Sequence, residues 1–365
     1  MGCPKEYSTE KNVRRREMVD GVDIHRIRYI QLARGKKISR LINYFSFTLS
    51  ALLHLFTLRK YKSVVVYSNP PILPFAAVLA NLLFGTKIVF VAYDVYPEVA
   101  YASDSIRRGS LIDRGMRGIN ALLYKRASRV VALTDEMRGF LLENRPGLAP
   151  DRVVTISNWA HEKKCCRNTQ ALARFNYRPD SFVVSYFGNM GICQEMDTLV
   201  KAAQQLKNEQ NIRFLWIGHG KKKQQIQRYC QNHDMDNVQI HDFLTGQAFE
   251  QAVAVSSLCV VSLEKGLKGT CAPSKYYSYL QGGKPVLAVV EQGCYLAKEI
   301  RKENIGTAIE IGEVDALVEA IRVLSRRTED VQQMGVRAQQ LYDRCYRIEI
   351  GTKKYVDMME MLLKG

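Results

Sequence analysis

The chain has 365 residues, 47% of them hydrophobic and 24% charged, a soluble globular balance with room for two domains of ordinary size. Its formal charge of +17 is uneven: residues 1–158 carry 25 Lys and Arg against 13 Asp and Glu, so the front half faces something acidic. Nine cysteines show no repeated Cys-x-x-Cys and no Cys/His spacing for zinc, which excludes a zinc or disulfide framework and fits a reducing cytoplasm; no cleavable signal peptide is visible.

Residues 22–30 alternate enough to predict a strand. Leu41 to Leu58 is mostly apolar and flanked by Lys36, Lys37, Arg40, Arg59, Lys60 and Lys62. Its length is near the lower limit for a spanning helix, but Asn43, Ser46, Thr48, Ser50, His54 and Thr57 interrupt it. It reads first as a buried or half-buried globular helix, and second as a basic, aromatic helix at a membrane surface. Strands follow at Lys62–Ser68, Lys87–Ala92, Arg129–Leu133 and Arg152–Ile156, with helices at Leu73–Phe84 and Leu111–Arg126, and a third capped by Thr134. Residues 157–180 lose periodicity and read as a linker. Alternation restarts with strands at Phe182–Phe187, Ile212–Ile217, Val238–Ile240, Leu258–Leu263 and Thr307–Ile311. Helices are expected at Thr198–Leu206, Lys222–Asn232, Val314–Leu324 and Ile350–Leu363. This is an α/β chain of two Rossmann-like, doubly wound domains facing across a cleft. The expected divisions are 1–157, a linker at 158–180, a second domain at 181–344 and a final helix at 345–365.

Three strand ends in the second domain carry glycine or a helix start. Gly188-Asn189-Met190-Gly191 lets a ligand approach the backbone, although a plain turn uses the same residues. Gly218-His219-Gly220 leads into Lys221 and Lys222, which a solvated helix start would also explain. Pro273-Ser274-Lys275 opens a helix, with Pro273 in its first turn, Ser278 one turn on and Gly282-Gly283 as its stop. A helix start with a hydroxyl and a lysine is an anion site, and crevices in such sheets lie at the carboxyl ends of the strands. In the front domain, Asp94 and Glu98 follow a hydrophobic strand; they are candidates for acid/base work, or else form a capped turn.

Taken in order, these pieces resemble a family-4 glycosyltransferase of the GT-B fold, in the branch that builds bacterial O-antigen and capsular polysaccharide. Ser157-Asn158-Trp159, Tyr186 to Gly191, Ile217 to Gly220, Pro273 to Lys275, Gly283 to Val286, Gly306 and Gly312 to Leu317 carry the resemblance over nearly the whole chain. It implies a rear domain that binds a nucleotide-diphosphate sugar, UDP-linked rather than GDP-linked, and a front domain that binds a lipid-linked or saccharide acceptor. It also implies retention of configuration, and a last helix that packs back toward the front domain. Ser274, Lys275, Pro273, Ser278, Gly188, Asn189, Gly191, Gly218, Lys221 and Lys222 then hold the donor, and Asp94 and Glu98 orient hydroxyl groups. Cationic groups and a helix dipole replace a metal, and backbone N–H groups of Gly188 to Gly191 help to stabilise the growing negative charge, so neither metal nor cofactor is expected. The expected location is the cytoplasm, where the basic front half allows contact with the anionic inner membrane face, and no nucleic acid partner is expected.

The chain departs from the family pattern in three places. The family opens with a strand, a glycine loop and a helix, whereas Met1-Gly2-Cys3-Pro4 reads as a point after those elements. Tyr93 stands where many members have His, and Thr270 and Ser278 stand where many have two glutamates. Two other readings follow: a nucleotide-sugar epimerase on the same fold, and a truncated nucleotide-binding protein without turnover, with an exposed apolar surface where the first strand belongs.

Overall fold

The computed structural model describes residues 14–32, 37–160 and 169–364. Met1 to Pro4 and the Cys165-Cys166 pair lie outside the described residues. A two-stranded antiparallel hairpin comes first, β1 (Arg16–Val19) and β2 (Val22–His25). The strand expected over 22–30 is therefore shorter, because Asp20 and Gly21 at positive φ turn the chain back on itself. Helix α1 (Lys37–Leu53) and a 3-10 turn (Leu55–Lys60) take up the apolar segment. Among the described residues no helix is long and apolar enough to cross a membrane.

The front sheet is parallel, with order β3 (Ser63–Tyr67), β4 (Lys87–Ala92), β5 (Arg129–Ala132) and β6 (Val153–Thr155). Between its strands run α2 (Pro74–Phe84), α3 (Glu98–Ala102), α4 (Leu111–Arg126) and α5 (Asp135–Asn144). Gly85 ends α2 in a left-handed cap, and the Ser110 and Thr134 hydroxyls accept the N–H groups of Asp113 and Met137 to start α4 and α5. One face of this sheet packs Val66, Ile88, Phe90, Ala92, Val130 and Ala132 against these helices.

A short helix, α6 (Thr169–Arg174), interrupts the expected linker and buries Ala171 and Leu172 in the rear core. The rear domain then has β7 (Phe182–Phe187), α7 (Asp197–Gln205), β8 (Ile212–Ile217), α8 (Lys223–Asn232), β9 (Val238–His241), α9 (Gly246–Val255) and β10 (Leu258–Ser262). It continues with α10 (Lys275–Gln281), β11 (Val286–Val289), α11 (Tyr295–Glu303), β12 (Gly306–Ile309), α12 (Val314–Arg326) and α13 (Thr328–Cys345). Helices α9, α11 and α13 were not legible as periodic stretches. The six strands run parallel in the order β12-β11-β10-β7-β8-β9. Strand order reverses between β7 and β10, so the crevice of this doubly wound sheet opens at their carboxyl ends. A separate buried cluster covers each face of the rear sheet.

The last helix, α14 (Ile348–Lys364), returns to the front domain. Its Met358 and Leu362 pack on Val89, Val91, Val131 and Ile156, the second face of the front sheet. Lys87 Nζ donates to the Leu362 carbonyl at 2.8 Å. Trp159 sits against Gly351, where any side chain would overlap the indole, so the segment between the domains is seated on this returning helix.

Candidate functional site

The rear crevice is built by close backbone packing of the loops after β7 and β8. Gly188 (φ +125°), Gly218 (φ +154°) and Gly220 (φ +144°) end β7 and β8 in conformations that side chains rarely adopt. A Cβ on Gly218 would overlap the Gly188 carbonyl, and one on Gly220 would overlap that of Met190. These glycines bring the ends of β7 and β8 into contact beside the switch point between β7 and β10. The same packing corrects one expectation. The N–H groups of Gly188, Met190 and Gly191 donate to Ile217 O (2.9 Å), His219 O (2.6 Å) and Gln194 Oε1 (3.3 Å), so they hold the loop rather than wait for an anion. Asn189 is exposed at the loop tip, and its carbonyl accepts the Tyr186 hydroxyl at 2.7 Å.

Lys275 lies beneath this loop. Its ammonium is buried, has no hydrogen-bond partner among the described residues, and stands 3.8 Å from the centre of the Tyr186 ring. A Cβ on Gly188 would lie 3.7 Å from the ammonium, so the glycine opens the space directly above it. Burial pushes the Lys275 amine down to about 7. A cation held by one aromatic face in a desolvated site is poised to gain from an incoming anion.

Helix α10 starts at Lys275, two residues later than expected. Pro273 precedes it, its carbonyl accepts the Tyr276 N–H at 3.1 Å, and Ser274 is the N-cap without a capping side-chain bond. Ser274 and Ser278 are exposed one turn apart on this helix, while Tyr276, Tyr277, Tyr279 and Leu280 are buried. Gly283, at φ +61°, provides the left-handed stop.

Lys222 is also reassigned. Its ammonium donates to Gln194 O at 2.8 Å and pairs with Glu264 at 3.3 Å, bracing the loops after β7 and β10. Lys221 is exposed beside it.

The front carboxylates separate. Glu98 is committed to Arg145 at 2.6 Å, a half-buried ion pair in which Arg145 also donates to Tyr96 O and lies over the Tyr124 ring. That role is structural: it fixes the start of α3, so Glu98 is not available to act on hydroxyl groups. Asp94 is held differently. Its N–H donates to Ser68 Oγ at 3.0 Å, its backbone bridges to Cys271, and Val95 N donates to Thr270 O at 2.8 Å. The segment that leads into α10 is thereby stitched to the carboxyl end of β4. Burial pushes the Asp94 carboxyl up to about 6.

A second tie crosses between the domains. Glu136 on α5 accepts the N–H groups of Gly269 (3.1 Å) and Tyr295 (3.0 Å). Gly269, at φ +71°, packs so tightly on Phe140 that a Cβ would press into its side chain. Sequence reasoning missed Glu136, because Thr134-Asp135-Glu136 reads as an ordinary helix start. It missed Ser68 because that serine reads as the last residue of a strand. Among the described residues no group of three His, Cys, Asp or Glu is arranged to hold a metal ion.

Comparison with known proteins bears on this geometry. Residues 3–159 match the glycosyl transferase 4-like domain, and residues 181–327 match glycosyl transferases group 1. The chain is similar to the probable glycosyltransferase WbjE of Pseudomonas aeruginosa, 28% identical over 242 residues, which is 66% of this chain and 60% of that protein. It is also similar to the putative colanic acid biosynthesis glycosyl transferase WcaI of Escherichia coli K12, 24% identical over 78% of this chain and 72% of that one. Among solved structures, sucrose-phosphate synthase of Thermosynechococcus elongatus superposes with a TM-score of 0.76 at 14% identity, covering 98% of this chain and 87% of that one. Anabaena HepE in complex with UDP-glucose superposes with a TM-score of 0.68 at 14% identity, covering 89% and 84%. The chain thus carries a glycosyl transferase 4-like domain in front and a glycosyl transferases group 1 domain behind, on two parallel α/β sheets that share the GT-B fold of these solved structures.

Proposed function

We propose that the chain transfers a sugar from a UDP-sugar to a lipid-linked or saccharide acceptor in cell-surface polysaccharide biosynthesis, with retention of configuration and without a metal. The observation that carries this reading is the buried Lys275 ammonium under Gly188 at the switch point of the rear sheet. In such a transfer the bond from the sugar to the diphosphate breaks, and negative charge grows on the leaving oxygen. A preorganised cation in a water-poor site stabilises that charge more than it would in solvent. Ser274 and Ser278 line the exposed edge of α10 as hydroxyl partners for the donor. Asp94, pinned beside Cys271, accepts a hydroxyl proton from the sugar or the acceptor. The name of WcaI, from colanic acid biosynthesis, and the UDP-glucose bound by HepE support the pathway class and the donor class.

The test is mass-resolved product analysis with a panel of UDP- and GDP-sugars, with and without acceptors. Transfer from a UDP-sugar that disappears in Lys275→Ala is the expected result. Product without any acceptor would replace this reading with epimerisation. A second reading, nucleotide binding without turnover, is favoured by the uncovered flank of β3, where Val65 and Tyr67 are 41% and 45% exposed. UDP binding that depends on Lys275, with no product from any acceptor, would establish it.

A further inference from the structure

Helix α11 begins without a cap of its own. Its N-cap residue, Cys294, makes no side-chain capping bond, and its first turn holds no acidic residue. The N–H groups of a first turn need acceptors, and the helix dipole there favours a carboxylate. The front domain supplies one. Glu136 Oε1 accepts the Tyr295 N–H at 3.0 Å, while Oε2 accepts the Gly269 N–H at 3.1 Å. Its neighbour Asp135, in the same first turn of α5, accepts the Thr155 hydroxyl at 2.7 Å and so serves its own domain. One front-domain carboxylate therefore completes a helix start and pins a loop in the other half of the molecule, through two charge-assisted bonds.

The pinned loop runs on into the site. Residues 269–271 are fastened to the front domain at consecutive points: the Gly269 N–H on Glu136, the Thr270 carbonyl on the Val95 N–H at 2.8 Å, and Cys271 in an antiparallel bridge with Asp94. A Cβ on Gly269 would stand 2.9 Å from Phe140 Cβ, so the seam is also closed by packing on α5. Beyond Cys271 the chain passes through Ala272, Pro273 and Ser274 to Lys275. A strip of the rear domain thus takes its hydrogen bonds from the front domain, and it joins the Asp94 side of the cleft to the Lys275 side. Glu136 is its outermost fastening.

We propose that Glu136 is a positioning residue, a clasp across the cleft that fixes the Lys275 ammonium relative to Asp94 for sugar transfer. It acts through residues 269–271 rather than on the reacting atoms. This rests on the reading of Lys275 and Asp94 as the two sides of the transferase site, and the clasp itself can be tested apart from turnover. The experiment is amide hydrogen exchange on the intact protein and on Glu136→Gln, beside UDP titration and transfer kinetics. Gln keeps the length of the side chain but removes its charge and puts an NH₂ donor where one acceptor oxygen stood.

The Gly269 and Tyr295 amides lose an acceptor whatever Glu136 does, so the deciding amide is that of Val95, which is buried and bonds to Thr270 instead. It should exchange about tenfold faster or more in Glu136→Gln, because the strip loosens as a unit. Affinity for UDP and the donor KM should stay within about twofold, while kcat falls about 10–10²-fold, the scale of a misplacement of about 1 Å. Gly269→Ala, which forces the same seam open from the rear side, should give the same pattern, and the double variant should be no slower than the slower single one. Unchanged Val95 exchange would overturn the proposal, by confining Glu136 to a local cap. A loss of UDP affinity as large as the loss of kcat, or additive losses in the double variant, would also overturn it. Absence of transfer by the unaltered protein would instead count against the transferase reading alone, and Val95 exchange would still decide the clasp.

Discussion

The two sheets of this molecule are covered in different ways. The rear sheet places Val184, Tyr186, Phe214 and Trp216 on one face and Val183, Phe187, Leu215 and Ile217 on the other, and its own helices bury both. The front sheet buries one face under its own helices, but the other is closed by α14, which arrives after the whole rear domain. That cover reaches β4 and β5 and stops short of β3, whose Val65 and Tyr67 stay exposed while their register partners Val89 and Val91 are fully buried. A parallel strand with an open flank is unusual, because such sheets are ordinarily covered on both faces. The rear half thus carries a self-contained crevice, whereas the front half depends on distant parts of the chain for its shape.

This contrast can be broken in graded ways. The largest effect is expected from Lys275→Met. It should lower sugar transfer by about 10²–10³-fold, the scale of removing one preorganised charge-stabilising group. The same change should raise the melting temperature of the ligand-free protein, because it removes a buried cation without a hydrogen bond. Calorimetry beside kinetics checks both halves of that expectation. Asp94→Asn should cost about 10²-fold in kcat without loss of stability at pH 7, since burial already holds the carboxyl near pH 6.

The pH profile of kcat/KM follows from the same two groups. Activity should fall as pH drops through about 6, where Asp94 takes up a proton. It should also fall as pH rises through about 7, where the free protein loses the Lys275 ammonium. The stability signs are opposite for the two groups. The native state binds the Asp94 proton more tightly than the unfolded chain does, so that contribution is present at low pH and is lost as pH rises toward 6 and beyond. Native Lys275 binds its proton more weakly than unfolded Lys275, so its penalty is full below about 7 and fades toward 10.5. A profile without the limb near 7 would separate Lys275 from donor binding.

On the front sheet, Leu362→Ala should destabilise the protein by about 2–3 kcal/mol, as expected for truncating a buried side chain, with the loss appearing first in front-domain amides by hydrogen exchange. The smallest effect belongs to Val65→Thr. It should change stability by less than about 0.5 kcal/mol, because its flank has no cover to lose. A large effect there would mean that something covers β3 in solution.

The order of strands and most helices was legible because buried parallel strands write themselves as continuous runs of Val, Ile and Phe. The rear switch point was legible because Gly188 and Gly218 each follow such a run and Lys275 opens a helix that leads into one. What failed was local hydrogen bonding. Whether the Gly188 and Met190 amides are free, or whether Glu98 is paired, depends on partners 29 to 47 residues away, such as His219 for Met190 and Arg145 for Glu98. Single-sequence periodicity carries no record of such distances. Helix α13 was missed because its buried positions include Gly335 and Ala338, small residues that admit the Gly283 turn and thin the apolar stripe between Val331 and Leu341.

The returning helix has a consequence for synthesis. Domains commonly fold in the order in which they emerge from the ribosome. Here the front sheet emerges before the rear domain, yet one of its faces waits for Met358 and Leu362, on a 17-residue helix that follows the whole rear domain. The nascent front half therefore exposes Val89, Val91 and Val131 until that helix has emerged, and in that interval it is a natural client for a chaperone.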